Sequence, residues 1–108
     1  MSKVLGTDTF AATGTGKAYQ APDLGVIVQA SGIATTSSGN VSATWRVEGS
    51  NDGTNWFAVG ADVVIASGVS PQLSSANRVQ FAWAQYRINC TALTGTGAQL
   101  VTSIAVGS

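Results

Sequence analysis

A chain of 108 residues has the length of one domain and can bury one core. Only 9% of it is charged, against about 25% in an average soluble domain, while Gly, Ala, Ser and Thr supply about half of all residues. Five scattered cations (Lys3, Lys17, Arg46, Arg78, Arg87) balance five acids, which excludes the clustered positive charge of a nucleic-acid binder, and no apolar run is long enough to span a membrane as a helix.

Residues 1–22 carry Gly6, Gly14, Gly16 and Pro22 with only brief apolar pairs. They are expected to be either an edge strand plus a loop, or an arm that orders only against a neighbour. Residues 23–108 are expected to form a β-sandwich domain. Leu24 to Ala30 is apolar on both faces and reads as a central strand. Asn40 to Gly49 alternates, with Val41, Ala43, Trp45, Val47 and Gly49 on one face and Ser42, Thr44, Arg46 and Glu48 on the other. That is the pattern of a half-buried antiparallel strand. Asp52-Gly53 supplies the positive φ of a tight turn, and Trp56 to Val59 returns as the partner strand.

Val63 to Ala66 and Val69 to Leu73 read as short strands, with Pro71 marking an edge or a bend. Arg78 to Thr91 is a longer run. Its apolar phase changes near Ala84-Gln85, which implies a bulge or a bend between two strands. Thr13 to Gly16 and Thr94 to Gly97 read as loops, and Ala98 to Val106 as the last strand. The fold class that follows is all-β: an antiparallel β-sandwich or jelly roll of seven or eight short strands. Trp45, Val47, Phe81, Ile88 and Leu100 are its expected core.

Catalytic chemistry finds little to work with. The chain has no His, which removes the usual general base and the commonest metal ligand. Cys90 falls on an apolar phase and reads as a core thiol. The acids are too dispersed to identify a general acid and base. Thr13-Gly14-Thr15-Gly16-Lys17-Ala18 lacks the first Gly and the Ser or Thr of a phosphate loop, and no helical pattern follows it. Asn51 to Asn55 is rich in side-chain oxygen, yet a bidentate acid is missing for calcium, so local turn hydrogen bonds are the expected use. Asn40-Val41-Ser42 and Asn89-Cys90-Thr91 match the glycosylation pattern but fall in expected strands. Of the three Trp residues, Trp45 and Trp83 read as core and Trp56 is open between core and a sugar-stacking role. The expectation is a non-enzyme without cofactor, metal or catalytic residue. A single Cys and the absence of a leader pattern point to folding in a reducing cytoplasm.

The stretch Trp45-Arg46-Val47-Glu48-Gly49-Ser50-Asn51-Asp52-Gly53-Thr54-Asn55-Trp56-Phe57-Ala58-Val59 is similar to a hairpin that recurs in small bacteriophage virion proteins. Gln85-Tyr86-Arg87-Ile88-Asn89 resembles the strand that accompanies it. A turn of this form also occurs in discoidin-like (F5/8 type C) jelly rolls, which are longer, secreted and closed by a disulfide, whereas this chain has one Cys. The resemblance to phage capsid decoration (cement) proteins implies a β-sandwich on the virion surface. Its partners would be the major capsid protein and further copies of the chain, most often as a homotrimer. A tail-tube or head-completion protein and a glycan-binding module are the alternatives. Val4, Leu5, Phe10 and Tyr19, the larger apolar side chains of the N-terminal segment, are the candidates for the interface.

Overall fold

The computed structural model describes residues 2–21, 27–76 and 83–107, and these form two antiparallel sheets packed face to face. The first sheet has the order β1 (Ser2–Phe10), β9 (Gln99–Gly107), β4 (Ile27–Thr35), β7 (Gln72–Ser75). The second has β8 (Gln85–Thr96), β5 (Ser38–Ser50) and β6 (Phe57–Val69), with the two-residue strands β2 (Gly14–Thr15) and β3 (Tyr19–Gln20) both paired to the outer side of β8. The expected β-sandwich is therefore present, with nine strands among the described residues.

The chain changes sheet at most connections, as a sandwich requires when hairpins are few. Three of these crossings meet at one end. Ser37 N donates to Thr96 O (3.0 Å), Ser37 Oγ donates to the same carbonyl (2.9 Å), and Thr36 N donates to Ser70 Oγ (3.2 Å). The exceptions are the step from β2 to β3, both on β8, and the β5–β6 hairpin, whose turn at residues 51–56 lies within the second sheet.

Alternation sets the core. Val41, Ala43, Trp45 and Val47 of β5 face Val28, Ala30 and Ala34 of β4 and Leu100, Ile104 and Val106 of β9; all are buried. Trp45 is fully buried because β4 presents Gly32 beneath it, where a Cβ would stand 2.9 Å from the indole. Its Nε1 donates to Ser74 Oγ (3.0 Å), which donates on to Gly32 O (2.9 Å), so the indole N–H is satisfied inside the core. Ile88 and Leu100 are buried as expected, whereas Phe81 lies outside the described residues.

Several expected boundaries shift. Val63 to Ala66 does not stand alone: the return strand continues through it as β6, its register with β5 slipping between Val47↔Val59 and Trp45↔Val63 and again between Ala43↔Ile65 and Val41↔Gly68. Bulges absorb what composition suggested were breaks. Val69 to Leu73 is cut by the Ser70-Pro71 corner, and the strand beyond it is β7 at the sheet edge, where the missing proline N–H breaks no ladder. β4 runs past Ala30 to Thr35, and Leu24 to Val26 lie outside the described residues. β8 starts at Gln85, next to the anticipated phase change, and extends through Thr96, so part of the expected Thr94 to Gly97 loop is strand. Gly14-Thr15, read as loop, pairs with Cys90 and Asn89.

The N-terminal segment takes the strand-plus-loop form. β1 pairs with β9 from Ser2↔Gly107 to Phe10↔Leu100, and Phe10 enters the core. Tyr19 then reaches from β3 across Gly6 of β1, where there is no room for a Cβ. Its hydroxyl donates to Asp8 Oδ2 (3.0 Å) and Thr7 O (3.3 Å), while Lys17 N donates to Asp8 Oδ1 (3.2 Å). This lacing joins the edges of the two sheets and closes one side of the sandwich.

Candidate functional site

The outer faces of the two sheets differ in chemistry. On the second sheet the register sets Glu48 opposite Arg87 and Arg46 opposite Asn89. Their side chains share the outward phase, and the other three all engage the Glu48 carboxylate. Arg87 Nε donates to Glu48 Oε1 (2.8 Å); Arg46 Nε and Asn89 Nδ2 donate to Oε2 (2.8 and 3.1 Å). The Arg46 NH2 group is also 2.8 Å from Oε2. Glu48 thus points outward, as its phase requires, yet is only 2% exposed because the guanidinium groups lie over it. Burial alone would push this carboxyl up; the hydrogen bonds from Asn89, Arg87 and Arg46 outweigh it and hold the carboxyl below its usual range. Trp56 completes the cluster, with the Arg87 guanidinium 4.2 Å from its ring centroid. The carboxylate is saturated with donors and fixed in its ionised form, so it is a poor base.

The turn after β5 is equally self-contained. Asp52 Oδ1 accepts from Thr54 N and Asn55 N (both 2.8 Å) and from Ser50 Oγ (3.1 Å), and Oδ2 accepts from Asn55 Nδ2 (2.8 Å). The backbone N–H groups of Asn55 and Thr54, with these side chains, hold the carboxyl well below the usual range. Its oxygens serve the turn. Among the described residues no three His, Cys, Asp or Glu side chains converge as metal ligands do. Cys90 is buried, its Sγ donating to Ala92 O (3.5 Å), and burial pushes its thiol up, away from nucleophilic thiolate.

The interface candidates separate. Val4 is exposed, Leu5 is half-buried, Phe10 is part of this chain's own core, and Tyr19 seals the side of the sandwich. The Tyr19 hydroxyl is pushed up to about 12 by burial, by its hydrogen bond to Asp8 and by the Asp8 charge. The three Trp residues do not share a platform: Trp45 is inside, Trp56 lies under Arg87, and Trp83 lies flat on β5, where a Cβ at Gly49 would stand 2.5 Å from its ring.

Sequence reasoning missed the outer face of the first sheet. The cross-strand row Thr9–Val101–Ile33–Leu73 spans all four strands, followed by the row Thr7–Ser103–Ser31–Ser75. Beyond the bulge in β1, Val4 pairs with Ala105. Among the described residues this face carries no charged side chain. Three of the six large apolar side chains exposed among them, Val4, Ile33 and Leu73, stand on it. The signal was available in the sequence: residues 24–45, 63–77 and 88–108 contain no Asp, Glu, Lys or Arg, and these tracts supply β4, β7 and β9.

Compared with known proteins, the chain matches no family model and no curated protein. Two solved structures share its fold. One is the PBSX exported protein XepA, with a TM-score of 0.62 and 21% identity over 100% of this chain, which spans 37% of the length of XepA. The other is the SPBc2 prophage-derived protein YomS, with a TM-score of 0.58 and 10% identity over 99% of this chain and 92% of YomS. Likeness at these identities is likeness of fold.

Proposed function

We propose that this protein is a structural component of a bacteriophage that works by binding other protein surfaces, and that within this class it decorates the assembled head. The observation that carries the reading is the match of the chain to the fold of the PBSX exported protein XepA and of the SPBc2 prophage-derived protein YomS, the latter of nearly the same extent. The virion-like hairpin from Trp45 to Val59 agrees with it, as does a sheet face that carries no charge among the described residues. A decoration protein needs no catalytic centre. It binds the assembled lattice in preference to free subunits and stabilises that lattice by mass action. Its place is then the capsid surface, and its partner the major capsid protein.

Co-sedimentation with undecorated heads and with free coat subunits tests this. Binding to heads alone, with a rise in the temperature at which heads open, is the expected result; a protein that ignores heads overturns the decoration reading. A glycan-binding role draws on one observation: Phe57 is 55% exposed and stacks on Trp83 with centroids 5.4 Å apart, leaving an aromatic ring open beside the β5–β6 turn. Retention on immobilised polysaccharide, lost in Phe57→Ala, would put that role first.

A further inference from the structure

We infer that the outer face of the first sheet is a self-association surface on which a second copy of this chain docks, sheet against sheet. The inference rests on the reading of the chain as a protein-binding structural component and names where that binding begins. Burying an outer face of the second sheet would desolvate Arg46, Arg87 and Glu48, a cost that only a charge-matched partner could offset. The first sheet has no such cost. Among the described residues its exposed side chains are hydroxyls, amides and the apolar groups of Val4, Ile33 and Leu73, with Val101 half-buried between Thr9 and Ile33, so two copies meet without like-charge repulsion.

Shape selects the same occupant. A twisted four-stranded sheet is complementary to another twisted sheet, and aligned sheets interdigitate at a separation of about 10 Å. An identical face brings its own apolar row to pack on this one, in the isologous manner of two-fold pairs. Three nine-residue strands and one of four residues give a footprint on the order of 500 Å² at roughly 4.8 Å between strands and 3.3 Å per residue. That is somewhat under a tenth of the chain's 5754 Å² of accessible surface. Standard interfaces bury roughly 800 Å² per partner, and smaller ones are weak and reversible. The expected product is a dimer in exchange with monomer, and an isologous contact of this kind closes at two copies.

Sedimentation velocity of the full chain from roughly 10 μM to 1 mM reads this directly. Three variants accompany it: Leu73→Lys, Ile33→Lys, and Val64→Lys as the control on the second sheet. Leu73 and Val64 are exposed to similar degrees, 73% and 69%, so neither substitution threatens folding, and thermal melts confirm it. The wild type and Val64→Lys should show monomer–dimer exchange, and each first-sheet variant should weaken it by about tenfold or more. A wild type that stays monomeric throughout overturns the inference, as does a trimer or a dimer that Val64→Lys dissolves and Leu73→Lys leaves intact. Head binding is measured on the same samples. Monomeric wild type that still binds heads, with binding lost in Leu73→Lys, assigns the face to the capsid and refutes self-association while leaving the decoration reading standing. Dimers that ignore heads refute the decoration reading alone.

Discussion

Glu48→Gln is the substitution that most directly tests the second sheet's outer face. The amide is the same size, so packing is conserved and the change is electrical. Glu48 accepts from three side chains; a Gln offers one acceptor oxygen and turns an NH2 group toward an Arg or Asn donor. Breaking a fully buried ion pair costs about 3–5 kcal/mol because a charge is stranded. Here the Arg46 and Arg87 side chains are 35% and 22% exposed and can recover water, which lowers the expected loss to about 2–3 kcal/mol. For a domain near this size that is a fall in Tm of about 10–20 °C. The pH dependence supplies a second check. The folded carboxyl is held below its usual range, so its contribution is complete above the unfolded value of about 4.3 and disappears as pH falls through the lower folded value. Urea melts of both proteins at pH 7 and at pH 3 should therefore show a gap that narrows on acidification. A gap under about 0.5 kcal/mol at pH 7, or one that widens in acid, would refute the network as described.

Further substitutions probe the core and the turn. Gly53 has φ of +76°, and the nearest atoms to a Cβ there belong to the Gln85 side chain at 3.5 Å; Gly53→Val should cost about 1–2 kcal/mol from backbone strain alone, and calcium should leave the melting temperature unchanged because the Asp52 oxygens already serve the turn. Thr102 is buried with an unsatisfied Oγ1, so the near-isosteric Thr102→Val should raise stability by about 1 kcal/mol in urea melts. Trp45→Ala should lower it by about 3–5 kcal/mol, through a cavity between β4 and β5 that Gly32 cannot fill; a loss under about 1 kcal/mol would contradict the burial of Trp45.

What the sequence displays depends on how local the physics is. The β5 strand and its turn are legible because alternation and an Asp-Gly pair act within a dozen residues. The continuity of β6 is not, since Gly60-Ala61-Asp62 carries the composition of a loop while the structure uses it as a bulge in one strand. Glu48 illustrates a second limit. Its outward phase is readable, but its burial arises from Arg87 and Asn89, some forty residues away on β8. The neutral sheet face lies between these cases. Its three uncharged tracts are visible in the sequence, and only the pairing of β7, β4 and β9 shows that they become one surface.

The N-terminal segment carries the consequence furthest. Its weak patterning leaves open an edge strand with a loop or an arm waiting for a partner, and in the structure the stabilising contacts of this segment lie within the chain itself. Phe10 enters the core, β1 covers the edge of β9, and Tyr19 locks β3 to β1 through Asp8 and Thr7. Phe10→Ala alone should cost about 3 kcal/mol, and deletion of residues 1–20 should cost more, since it also exposes the unpaired edge of β9. For a domain of this size a loss of that order lowers Tm by roughly 15 °C or more, and the deletion variant should bind a hydrophobic dye. Amide exchange in the intact chain separates the readings without a mutation. Amides of β1 that donate to β9 should be protected in the isolated protein, with no partner present. An arm would exchange them as fast as a free peptide and would be removable with little loss of stability. Finding both would overturn the closed side of this sandwich and return the segment to the role of a docking arm.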